Sequence, residues 1–436
     1  MGSGPTMRTL MTAAFLLGSL AGAAEAGAWT EQDKLTASDA AGGDFLGYSV
    51  SIDGDYAIAG AYGDDDKGSE SGSAYIFKRS GTDWSEQDKL LATDGAGGDN
   101  FGECVSISGD YAIVGAALDV DDNGDSLGSA YVFERSGETW AHQPKLLAPD
   151  AADGDHFGSA VSINGDDAII GASGDDSSTK TNAGSAYVFH RSETGWSYQA
   201  KLIANDPDTS DYFGRAVSIS GDYTIVGVES DDDNGTSSGS AYIFKRSGTT
   251  WSQQDKLTAD DATGGDHFGF SVSIDGDYAI VGAYWDDHSG KNYAGSAYIF
   301  HRDDTDWTQQ DQLFASDAAE NDWFGCSVSI SGDYALVGSR QDADDGTQSG
   351  SAYIFKRSGS SWTEVDKLTA DDADVYDNFG WSVSLDGGYA MVGAPYDDDA
   401  GGLSGSAYIF VPEPSTTVML VFAGAALLAS ARRRSS

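Results

Sequence analysis

Hydrophobic and polar positions along this chain fall into short bursts, and the bursts repeat. Polar and apolar side chains alternate from Val105 to Ile107, Gly109 and Asp110 make a tight turn, and Tyr111 to Ala116 is an apolar run rich in β-branched residues. An acidic loop leads to a further apolar run over 129–133. Ser136 and Gly137 then turn the chain, and a fourth extended segment covers 140–147. None of these runs carries the 3.6-residue period of a helix. Short strands joined by turn chemistry predict one small antiparallel sheet per unit.

The unit recurs seven times. Its landmarks are Trp29, Trp84, Trp140, Trp196, Trp251, Trp307 and Trp362, spaced by about 55 residues, a period that points to a propeller or a stacked array. The glycine that opens each Gly-Ser-Ala-Tyr tetrapeptide keeps the same beat, from Gly72 to Gly405. Four-stranded sheets repeated radially are propeller blades. The phase of the repeat favours a closed ring, because the first unit begins at its fourth strand and the last stops at its third. Residues 29–37 are therefore expected to complete the blade built from 381–410, which removes an open sheet edge. The expectation is an all-β, seven-bladed propeller over residues 29–410.

Within each unit a Phe-Gly pair such as Phe101 and Gly102 is followed about a dozen positions later, at the end of the hairpin, by a glycine and a small residue such as Gly115 and Ala116. The last unit reads Gly393, Ala394, Pro395, and the first has Leu46 before Gly47. On these residues the chain resembles the FG-GAP repeats of integrin α-subunit propellers and their bacterial relatives. That resemblance implies a surface-exposed binding or adhesion propeller. Integrin-type repeats carry a DxDxDG calcium loop between the two motifs. Here the interval holds only a turn such as Ser108, Gly109 and Asp110, so the resemblance does not imply calcium at that place.

The ends of the chain predict export. Residues 1–26 read as a signal peptide: Arg8 precedes an apolar stretch over 10–20, and Ala24, Glu25 and Ala26 form a small-x-small cleavage site. At the other end, over 411–436, Pro412, Glu413 and Pro414 precede an apolar segment and the cluster Arg432, Arg433 and Arg434. This is similar to a PEP-CTERM sorting signal of Gram-negative bacteria. It implies transient inner-membrane anchoring as a transmembrane helix, handling by an exosortase, and a final place at the cell surface or outside the cell. The apolar part, 418–431, is short for a stable span of roughly 20 residues.

Composition narrows the partners. A formal net charge of -46 makes nucleic acid an improbable ligand and leaves an extracellular polysaccharide or protein. Cys104 and Cys326 belong to blades two and six, too far apart for a bond that needs Cα atoms within roughly 7 Å, and read as small buried residues. The loop leading into each blade and the loop after the second strand emerge on one face, and they hold most of the acidic residues. The opposite face receives Lys-Arg turns such as Lys78 and Arg79.

Two aspartates stand in every unit. One precedes the Phe-Gly glycine by three residues, from Asp44 to Asp377, and the other follows the second glycine by four, from Asp64 to Asp397. A residue that every blade needs first suggests a turn held by side-chain to backbone hydrogen bonds. The competing chemistry is divalent-cation binding. Asp64 and Asp66, Asp231 and Asp233, Asp342 and Asp344, and Asp397 and Asp399 each form DxDxG, and Asp119, Asp121 and Asn123 open a DxDxNG loop. Oxygen donors at alternate positions before a glycine suit Ca2+, although the distal bidentate glutamate of an EF-hand is missing. No cofactor is required, and Ca2+ is the ion these loops would take.

Catalytic signatures are absent. Gly235, Ser237 and Gly239 spell GxSxG in a loop with no following helix, and the six histidines show no metal spacing. The expectation is a protein without enzymatic activity, the alternative being a polysaccharide-active hydrolase or lyase on the same scaffold. Candidate ligand contacts come from the positions that vary between repeats. Tyr212, His267 and Trp323 stand just before Phe-Gly, and Tyr48, Arg215, Phe270 and Trp381 just after it. Aromatics beside polar groups at a channel mouth can stack on sugar rings or anchor a protein.

Overall fold

The computed structural model describes residues 28–413, apart from 122 and 178. Cleavage residues Ala24 and Ala26, and Pro414, Arg432, Arg433 and Arg434 of the sorting segment, lie outside the described residues. So does the apolar stretch 418–431. Among the described residues no helix is long and apolar enough to cross a membrane.

Residues Trp29–Val411 form seven four-stranded antiparallel sheets. In blade one the strands are Ser49–Asp53, Tyr56–Ala61, Ser73–Ser80 and Asp83–Leu90, in that order from the axis outwards. The second strand is buried almost throughout, because both of its faces meet other blades, and this is why it reads as a continuous apolar run. Seven hydrophobic clusters fill the spaces between blades. In one of them Ile58, Ile76 and Leu90 of blade one meet Phe101, Val105, Val114 and Trp140 of blade two.

The Phe-Gly and second glycines interlock across that interface. A Cβ on Gly60 would lie 1.9 Å from the Gly102 carbonyl oxygen of the next blade, and one on Gly102 would lie 2.2 Å from the Ser73 carbonyl oxygen. Gly102 also has a φ of 97°, so glycine is required there twice over. Phe101 is fully buried, packed edge-on against Tyr131, and its N–H donates to the Ser71 carbonyl at 3.2 Å. The same seam closes the ring, with Gly393 against Gly47 and Leu46 buried in the place of the phenylalanine.

Closure follows the expected route: the strand Trp29–Leu35 completes the sheet of Ser382–Asp386, Tyr389–Ala394 and Ser406–Pro412. It stops at Leu35, two residues short of the expected end, and Ala37 is buried in the turn beyond. Blade two departs further. Its fourth strand is only Thr139–His142, where other blades run on to the leucine, because Pro144 has no N–H to give to the ladder. Pairing resumes past it as a bridge between Ala130 and Leu146.

The periodic tryptophans clamp blade to blade. Trp140 meets Tyr56 of the preceding blade edge-on, with ring centroids 6.1 Å apart, and Arg135 lies over the same tyrosine at 4.4 Å. Cys104 and Cys326 are both free thiols at the glycine seam, with the Cys104 Sγ 3.0 Å from the Gly158 carbonyl oxygen.

Candidate functional site

The acidic face is organised around lysines. In blade one the Lys89 ammonium donates to Asp39 and Asp64 at 2.8 Å and to Asp66 at 2.7 Å. Lys89 is the penultimate residue of the fourth strand, Asp64 follows the second, and Asp39 comes from the loop leading into the blade, so three parts of the unit converge. The Tyr75 hydroxyl lies 2.9 Å from an oxygen of each of Asp39 and Asp64, and its single proton is shared between them. Asp64 is buried and fully used. One oxygen takes Tyr75 and Lys89, and the other accepts the Asp66 N–H at 3.0 Å. Burial works against the charge of Lys89, yet its bonds to the three carboxylates hold the ammonium above its ordinary pKa.

Blades four, six and seven repeat this station with Lys256, Lys367 and Lys34 on Asp231 and Asp233, Asp342 and Asp344, and Asp397 and Asp399. In blades one, six and seven the three carboxylates offer oxygens within 4.8 Å of one another, a spacing that could also hold a metal ion. The chain's own ammonium sits among them. In blade two Lys145 joins Asp94 and Asp119, whereas Asp121 closes its own loop, accepting the N–H groups of Asn123 and Asp125. Asp121 and Asn123 therefore stabilise a turn beside the station. Blade five is the exception. Gln312 replaces the lysine, donating to Asp261 and to the Tyr298 hydroxyl, and burial raises the pKa of Asp286.

The other repeated aspartate is a turn former. The Asp44 carboxylate accepts the Ala41 N–H and Asp99 accepts the Ala96 N–H, both at 2.6 Å, and the remaining blades repeat the bond three residues back. The residue just after it is held in the left-handed region in all seven blades. Its φ values include 56° at Tyr212 and His267 and 60° at Trp323. A bulky side chain is uncommon there, and this one is set by the same turn in every blade.

Around the channel mouth the variable positions assemble into an arc. Phe45 stacks on Tyr62 at 5.1 Å, Tyr62 meets Tyr48 at 4.6 Å, and Tyr48 meets Trp381 at 5.1 Å. Arg340 joins Trp381 to Trp323, its guanidinium carbon 3.9 and 5.0 Å from the two ring centroids. Tyr284 then links Trp323 to Phe270 and His267, and Arg215 lies 6.0 Å over Phe270. Blades seven, one, six, five and four thus supply one continuous aromatic and arginine surface. Blades two and three face it with Asn100, Glu103, His156 and Ser159, across a cavity of about 280 Å³.

The charges of the mouth are few and half-buried. Arg215 Nε pairs with Glu229 at 2.8 Å. Burial raises the pKa of Glu103 and Glu229, with Arg215 partly offsetting it, and lowers that of His267. Tyr284 is pushed up to about 12 by burial and by the Glu229 charge. Of the residues singled out in the sequence, Tyr48, Arg215, His267, Phe270, Trp323 and Trp381 come together here. Tyr212 makes no aromatic contact among the described residues. A third set, two residues past the second glycine, escaped notice: Tyr62, Glu229, Tyr284 and Arg340. The signal for it was present, since this position varies between units as sharply as the other two.

Fold and mouth define a seven-bladed propeller whose blades share one scaffold and differ where they meet the axis. The FG-GAP repeat matches seven times, at residues 29–77, 84–133, 140–189, 196–244, 251–300, 307–355 and 362–410, so the chain belongs to the FG-GAP repeat family. Each match starts at a fourth strand and ends at a third, the phase that ring closure requires. No curated protein matches the chain.

Proposed function

We propose that the protein is an exported binding or adhesion module of the bacterial cell surface or extracellular matrix, which takes a polysaccharide or protein ligand at the channel mouth and performs no reaction on it. The observation that carries this reading is the continuous arc from Phe45 through Trp381, Arg340 and Trp323 to Phe270. Large aromatic faces that vary between otherwise uniform repeats supply contact area at little cost in side-chain entropy. A glycan array probed with the purified protein and with Trp381→Ala tests it. Binding that is lost in the variant supports the mouth, and binding that is unchanged places the ligand elsewhere.

Export rests on the signal peptide, and sorting on Pro412, Glu413 and Pro414 with the arginine cluster. Transient membrane contact and processing by an exosortase follow from that reading. Mass spectrometry of the protein from its host checks it, because an intact C-terminus at Ser436 overturns processing.

One observation favours the enzymatic alternative. Glu103 and Glu229 both have raised pKa values at the mouth, as a polysaccharide hydrolase or lyase would use. Release of reducing ends or unsaturated products, abolished by Glu103→Gln, would establish it.

A further inference from the structure

Arg340 is the odd arginine of this molecule. Among the described residues Arg79, Arg135, Arg191, Arg215, Arg246, Arg302 and Arg357 each hold a carboxylate. Arg340 holds none, in a chain with 70 acidic residues; its buried Nε lacks a hydrogen-bond partner, as it does in five of the others. Its guanidinium instead lies between Trp381 and Trp323, its carbon 3.9 and 5.0 Å from their ring centroids. Packing between two indoles restrains the guanidinium and strips part of its water, while no carboxylate of the described residues occupies its N–H groups. A planar fork prepared in this way matches a carboxylate, which it can bind through two parallel hydrogen bonds.

The surroundings narrow the class of ligand further. Trp381 and Tyr48 carry the aromatic surface from Arg340 to the cavity, and the opposite wall offers hydrogen-bonding groups on Asn100, Ser159 and His156. The Asn100 Oδ1 is buried without a partner among the described residues. Aromatic faces on one side and amide, hydroxyl and imidazole groups on the other suit a pyranose ring, which has an apolar face and a rim of hydroxyls. We infer that the mouth recognises an acidic saccharide, with a uronate carboxylate on Arg340 and its sugar rings against Trp381 and Tyr48. This rests on the mouth being the binding surface and names what it binds. Acidic loops around the mouth oppose any anion at long range. Recognition therefore depends on the short-range fork, and 0.15 M salt is not expected to weaken it, since screening reduces that repulsion more than a partly buried contact.

The test uses the whole protein with EDTA present, so that divalent bridging to the acidic loops plays no part. Trigalacturonate, its methyl ester, a neutral cello-oligosaccharide and triglutamate are titrated by calorimetry and tryptophan fluorescence. The expected result is binding of trigalacturonate at least tenfold tighter than its ester, with triglutamate weaker still. Arg340→Gln should melt like the wild type and bind acid and ester alike. If Arg340→Gln melts early, Arg340→Lys serves in its place and should lose most of the preference, because an ammonium lacks the fork. A preference for the acid that survives both substitutions, or triglutamate binding as well as the uronide, overturns the inference. Acid, ester and neutral sugars bound equally well overturn it while leaving the mouth as the binding surface. No binding of any saccharide overturns the inference and the polysaccharide half of the proposed function, leaving a protein as the ligand of the mouth.

Discussion

The Lys89 ammonium lies 2.8 Å from the buried carboxylate of Asp64, at the point where the DxDxG pattern would seat a cation. The acidic loops thus carry a positive charge supplied by the fourth strand, and the station joins that strand to two loops of the same face. In the remaining blades with a lysine the ammonium meets the equivalent aspartate at 2.5 to 2.9 Å.

Removing that charge should expose the cation chemistry beneath it. Lys89→Met leaves Asp64 buried and unpaired, and is expected to cost about 3 kcal/mol, the low end for breaking a buried pair, because Asp39 and Asp66 stay in contact with water. Wild type should gain no more thermal stability from millimolar Ca2+ than from NaCl of equal ionic strength, whereas the variant should gain specifically from Ca2+. Differential scanning fluorimetry reads both. An equal calcium-specific gain in the two proteins would show that the ammonium does not exclude the ion.

Blade five offers the reverse experiment. Gln312→Lys supplies the missing ammonium beside Asp261 and Asp286, and should stabilise the protein by about 1 kcal/mol through charge-assisted hydrogen bonds. A fall in melting temperature would mean that blade five has adapted its packing to the neutral side chain.

The pH profile should have its maximum on the acid side of neutrality. Burial raises the pKa of Asp322 and of Asp377 to about 6, with the nearby Asp342 and Asp397 charges adding to it. A carboxylate raised on folding binds more protons in the native state between its unfolded value, about 3.9, and 6, so stability falls as pH rises through that window. Asp39, Asp94, Asp150 and Asp317 act in the opposite sense. Burial opposes their charge, but bonds to lysine and tyrosine lower their pKa, and the stability they contribute is lost as pH falls below the unfolded value. Melting temperature should therefore rise from pH 7.5 towards about 5 and drop below about 4. A profile rising steadily to pH 8 would contradict this balance.

Deleting residues 28–37 should weaken the ring much more than deleting 414–436. The first deletion removes Trp29 and Leu35 from the core and Lys34 from Asp372, Asp397 and Asp399, and it opens the edge of blade seven. Thermal unfolding of the two truncations gives the answer, and equal melting temperatures would remove closure as a source of stability.

The strands, the seven units and the closing strand were legible in the sequence because alternation, turn residues and repeat phase are local or periodic properties. The turn role of Asp44 and its equivalents was legible for the same reason, since the bond spans three residues. The fourth strand expected over 140–147 in blade two ends instead at His142, because Pro144 interrupts the ladder, and pairing resumes only as a bridge at Leu146. What tertiary structure alone decided are the contacts between distant parts of a unit and between units. Lys89 reaches Asp39 and Asp64 because the end of the fourth strand returns to the face where both loops emerge. Arg340 lies between Trp381 and Trp323 because the packing of blade seven on blade six places different repeat positions side by side around one axis. No spacing along the chain encodes that neighbourhood.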